Sequence, residues 1–129
     1  MRKNYRFTAL LGALGVILGA LGSHWIKSKV SPELLEAYKT GVLYHMIHVM
    51  AMFIALILGD INKLNKPVAA ARFFALGIIL FSGSLYIMAF AQAFGSSAKF
   101  IGPVTPMGGV AFIVGWIYLF LNLKSKDSI

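Results

Sequence analysis

A chain of 129 residues is enough for one domain, and with 59% hydrophobic and 12% charged residues it carries about half the charge of a soluble domain. It has no cysteine, which excludes disulfides, thiolate metal sites and cysteine nucleophiles. The net charge of +8 comes from residues that flank apolar blocks and form no stripe with interleaved aromatics, so it reads as membrane topology, with no nucleic-acid partner.

Crossing a bilayer takes a helix of about 20 apolar residues. Phe7 to Ile26 is the first such block and contains no full charge. Its basic start and Ala20-Leu21-Gly22 resemble a cleaved signal peptide. The apolar run continues past that point, however, so the segment is expected to stay as a span. Gly12, Gly15, Gly19 and Gly22 fall on one narrow helical face, and Gly15 to Gly19 is a GxxxG element, a groove for another helix backbone. The sequence leaves open whether that helix belongs to the same chain or to a second copy.

Ser31-Pro32-Glu33 is a helix start: a capping hydroxyl, proline at the first helical position, and an acid at the positive end. A short amphipathic surface helix is expected over Pro32 to Tyr38, feeding the second span at 41–59, which Asp60 ends. The alternative is one long protruding helix. Inside the span, His45 and His48 share a helix face, and Met46, Met50 and Met52 surround them.

The third span, 73–95, follows Lys66-Pro67 and Arg72 and contains Ser82, Gly83 and Ser84, which suit close approach and interhelical hydrogen bonds. The fourth, 104–123, opens on Gly102-Pro103-Val104-Thr105-Pro106-Met107-Gly108-Gly109. Two prolines predict an irregular or re-entrant stretch, a regular helix starting near Pro106, and Thr105 as its cap. Gly108 and Gly109 join the small residues expected at helix contacts.

Four spans put both termini on one side. Arg2, Lys3, Arg6, Lys63, Lys66, Arg72, Lys124 and Lys126 lie there, against Lys27, Lys29, Lys39 and Lys99 opposite. Eight basic residues against four place both termini in the cytoplasm, in the cell membrane. The fold class is therefore all-α: an integral-membrane four-helix bundle, with a short amphipathic segment between helices 1 and 2 and the lipid bilayer as solvent.

Gly22-Ser23-His24, Tyr44 with His48, Phe81 to Tyr86, the Gly102 to Gly109 stretch and Gly115-Trp116 occur in this order. By these elements, over nearly its whole length, the chain resembles the small four-helix membrane proteins called domain of unknown function 423, related to the eukaryotic transmembrane protein 256. The resemblance implies the fold and a membrane location, and no biochemical activity. The family's first element usually reads Gly-Ala-His-Gly, where this chain has Trp25 after the histidine. In its second span a glutamine usually stands where this chain has His45.

Two histidines are too few for a metal, because a structural zinc takes four protein ligands and a catalytic one usually three. His24 is the nearest third ligand, and Met46 and Met50 lie on other faces. With glutamine usual at position 45, the shared property is hydrogen bonding, so interhelical bonding is favoured over metal, haem or quinone, and no cofactor is expected. His24, Tyr44, His45, His48, Gln92 and Thr105 all fall toward the outer leaflet. Either they line a shallow outward-facing pocket roofed by Pro32 to Tyr38, or each pairs separately with a neighbouring helix. The functional expectation is a non-enzymatic membrane-organising or complex-forming protein, as a homo-oligomer or with a membrane-protein partner. The alternative is a small oligomeric transporter or channel that uses the pocket. An enzyme is disfavoured because no acid pair, catalytic triad or phosphate loop is present.

Overall fold

The computed structural model describes residues 2–63 and 66–123. Lys124 and Lys126, used above for topology, lie outside the described residues. Helix α1 runs Arg2–His24 and α2 runs Pro32–Asn62. The third span joins α3 (Lys66–Gly77), a π-helical segment (Ile78–Ser82) and α4 (Gly83–Ala93), and the fourth is α5 (Val104–Asn122). All four are long and apolar enough to cross a membrane.

The ends of these helices follow from local chemistry. The Ser31 hydroxyl accepts from Leu34 N at 3.2 Å, with Pro32 next in sequence, which starts α2 as expected. No break follows. Pro32 to Tyr38 is the first part of a single 31-residue helix, because Tyr38 is fully buried and anchors that segment against the bundle. Lys63 closes α2 in the left-handed region, at φ 53°. Gly95, at φ 81°, ends α4 with its N–H on Gln92 O and that of Ser96 on Ala91 O, a pairing that needs a left-handed residue. Instead of re-entering, the chain between spans three and four makes a 3₁₀ turn, Lys99–Ile101, and α5 begins at Val104. Thr105 is therefore not the cap but lies inside the first turn, its N–H on Gly102 O.

Helix α1 packs along α2, α2 along the third span, and the third span along α5. The two middle spans are 44% buried over their apolar windows and the outer two 22% and 28%, so the middle pair forms the centre. Tyr5 OH donates to Asp60 at 2.6 Å and stacks on Phe53, tying the start of α1 to the end of α2. At the opposite end Trp25 packs on Phe90 and Phe94. Leu10, Val16, Ile17, Ile54, Ile79 and Phe120 are among many large apolar side chains that face outward, a surface suited to lipid and a liability in water.

The glycine face of α1 receives α2 of the same chain. A Cβ on Gly12 would touch Val49 at 3.4 Å and one on Gly19 would press Val42 at 3.2 Å; at Gly15 it would strike Met46, and at Gly22 the Tyr38 ring. Of the other small residues, Gly108 lies against the backbone of Phe81. Ser82 donates to Gly41 O at 2.6 Å, and Ser84 meets Thr105 at 2.5 Å. Gly83 and Gly109 do not serve close packing. A Cβ on Gly83 would find only Ile78 O at 3.8 Å, and one on Gly109 nothing within 4 Å.

Candidate functional site

Two histidines enter the protein interior from α2 and go to different places. His45 is 1% exposed and reaches α1 on one side and α4 on the other. Its Nε2 lies 2.8 Å from Leu11 O and its Nδ1 2.7 Å from Tyr86 OH. A carbonyl can only accept, so Nε2 carries the proton, and Nδ1 accepts from the tyrosine hydroxyl. This neutral imidazole bridges three helices.

Access to Leu11 O depends on Gly15. That carbonyl lies one turn before the glycine, and a Cβ on Gly15 would stand 3.2 Å from His45 Cδ2 and Nε2. The arrangement repeats one heptad on. Tyr38, seven residues before His45, passes over Gly22 and donates its hydroxyl to Leu18 O. Gly15 and Gly22 are likewise seven apart, as are Leu11 and Leu18. The small-residue face of α1 thus does more than admit a neighbour. It bares two main-chain carbonyls, each bonded by a side chain of α2. Where these helices meet the third span, the Tyr38 and Tyr86 rings pack at 5.4 Å and Ser82 bonds Gly41 O, a third side-chain bond onto a helix carbonyl.

His48, 4% exposed, faces the other side of α2. Its Nδ1 lies 2.8 Å from Tyr44 O, one turn back, and Trp116 Nε1 donates to its Nε2 at 3.0 Å. The proton here is on Nδ1, the opposite tautomer to His45. Phe112 stacks on the imidazole at 3.7 Å between ring centres, with Phe74 and Tyr44 adjacent. Gly77 and Gly115 make room for this cluster, because a Cβ would run into Phe112 at the first and stand 2.7 Å from Phe74 at the second.

The six residues expected to share one pocket are therefore divided. His45 and His48 occupy separate networks, and Tyr44, 40% exposed, covers His48 from the lipid side. Thr105 pairs with Ser84. Gln92 accepts from Ser31 N at 2.6 Å. His24 is exposed and joins none of them, and among the described residues no three His, Cys, Asp or Glu side chains converge as metal ligands. Among the described residues every buried side-chain polar atom has a hydrogen-bond partner, because a protein group is the nearest one to hand where water is scarce. A cleft roofed by the start of α2 does exist. Its lining includes Ser31, Leu34, Ala37 and Gln92 but neither histidine. Tyr38, Tyr86 and Trp116 were not among the expected site residues. The matching seven-residue offsets of Tyr38 to His45 and Gly15 to Gly22 are the signal that points to the first.

The family described as "Protein of unknown function (DUF423)" matches residues 18–109. The chain is 38% identical to the UPF0382 membrane protein YwdK of Bacillus subtilis over 112 residues, 86% of this chain and 87% of that one. It is also 38% identical to the UPF0382 membrane protein SAB0533 of Staphylococcus aureus over 116 residues, 87% and 90% of the two chains. A UPF0382 membrane protein of Haemophilus influenzae is 34% identical over 129 residues, 98% and 99% of the two. No solved structure matches.

Proposed function

The chain belongs to the DUF423 family of membrane proteins, and from that premise we propose that it is a non-enzymatic component of the cell membrane that organises the bilayer or holds a membrane complex together. One observation carries this reading: all four ring nitrogens of His45 and His48 are engaged by the protein itself. A ligating or proton-relaying histidine needs a nitrogen available to its substrate. Here each imidazole ties α2 to its neighbours, and the tautomer of each is set by a backbone carbonyl.

The competing function is a small transporter that relays protons through these histidines. Liposomes reconstituted with the protein should pass protons and potassium no faster than empty ones, and His48→Ala should leave that rate unchanged. Flux that disappears in His48→Ala would establish the transporter instead.

Both termini belong in the cytoplasm on this reading, supported by the excess of basic residues at the end of the bundle that carries Arg2, Arg6, Lys63 and Arg72. Green fluorescent protein fused after residue 129 should fluoresce, and alkaline phosphatase at the same point should be inactive. Active phosphatase there would invert the topology.

A further inference from the structure

Between the first turns of α2 and the end of α4 lies a cleft of about 520 Å³, closed on its third side by the loop that leads to α5. Ligand pockets typically enclose about 300–1,000 Å³, so a small molecule's head fits with room to spare. The lining is divided by chemistry. Leu34, Ala37 and Met88 form an apolar wall, whereas Glu33 and Lys99 stand exposed at the rim.

These two charges are not paired with each other. The salt bridge among the described residues is Lys39 to Glu36, one turn along α2 and outside the cleft. A carboxylate and an ammonium thus face the same space, each without a counter-ion from the other. Gln92, in the same lining, accepts from Ser31 N–H at 2.6 Å, which orients the amide and turns its side-chain NH₂ to donate to a ligand.

The cleft also straddles the membrane boundary. Lys27, Lys29, Lys39 and Lys99 mark this end of the bundle as wet. Phe94 and Phe100, 75% and 82% exposed, stand on either side of the loop that closes it and suit the headgroup layer. Met88 lies one turn before Gln92 on α4, inside the apolar third span, and Ala37 lies one turn past Glu33 on α2. A ligand that satisfies all of this carries a cation, an anion and a long apolar tail in one molecule.

We propose that this cleft binds a zwitterionic phospholipid of the phosphatidylethanolamine class. The lipid ammonium sits at Glu33, its phosphate at Lys99 and the Gln92 NH₂, and an acyl chain leaves along Leu34, Ala37 and Met88. Anionic phosphatidylglycerol meets Lys99 equally well but gives Glu33 no cation and adds a repulsion, so charge selects the zwitterion. The site shares no residue with the histidine networks, and its test does not depend on the non-enzymatic reading.

The full chain in nanodiscs of equal phosphatidylethanolamine and phosphatidylglycerol, released into detergent and weighed by native mass spectrometry, should retain one phosphatidylethanolamine. Glu33→Gln should reduce the preference over phosphatidylglycerol about tenfold, the effect of losing about 1.4 kcal/mol. Lys99→Gln should weaken retention of both lipids. Ala37→Trp, which fills the cleft, should abolish retention while the thermal unfolding midpoint stays within a few degrees of wild type. Three results would overturn the proposal. These are equal retention of both lipids by the wild type, undiminished retention by Ala37→Trp, and binding of soluble glycerophosphoethanolamine as tight as that of the intact lipid, which would make the ligand a free zwitterion.

Discussion

Gly108→Ala should destabilise the protein by about 3 kcal/mol or more, while Gly109→Ala, at the next residue, costs nothing measurable. A Cβ on Gly108 would overlap the backbone nitrogen of Phe81 and stand 2.6 Å from its Cα. Main chain cannot swing aside as a side-chain tip can, so α5 must move away from the third span. That movement would loosen the Ser84–Thr105 bond and the stacking of Phe112 on His48. Gly109 opens onto empty space, where alanine only improves helix propensity. Denaturant titration of both variants in micelles reads the difference. Equal stabilities would show that α5 does not approach the third span through Gly108.

The second large effect is at His45. His45→Leu keeps the side chain's approximate bulk but removes both hydrogen bonds, taking from the Tyr86 hydroxyl its imidazole acceptor and from Leu11 O its side-chain donor in the interior. Interhelical hydrogen bonds in membranes average about 0.6 kcal/mol, and an unsatisfied buried group costs about 1–3. A loss of about 1–3 kcal/mol is expected. His45→Gln should recover most of it, because an amide NH₂ can donate to Leu11 O while the amide oxygen accepts from Tyr86. Adding Tyr86→Phe to His45→Leu should restore part of the loss by removing the stranded hydroxyl. Unfolding midpoints across the four proteins test this cycle. If His45→Leu is as stable as wild type, the imidazole is not a lock between the helices.

The comparison of His45→Leu with His45→Gln also separates structure from chemistry. A histidine retained for its titration would not be replaced by an amide. The neutral tautomer set by Leu11 O asks only for one donor and one acceptor at the right spacing, which glutamine has.

Four spans, the start of α2 at Ser31-Pro32, the glycine face of α1 and the membrane as solvent were all legible in the order of residues. They depend on local composition and periodicity: a bilayer demands long apolar helices whatever lies beside them, and a capping hydroxyl acts within its own turn. What Gly12, Gly15, Gly19 and Gly22 pack against was decided only in three dimensions, since a groove accepts any helix of complementary shape and α2 lies nearest along the chain. The same holds for the continuous helix through Tyr38, the π-helical segment at Ile78–Ser82 and the separation of His45 from His48. Residues three apart look like partners on a helical wheel. Once α1 and α4 take one side of α2 and α5 the other, each ring turns to the nearest group that can complete its hydrogen bonds, and the two part company.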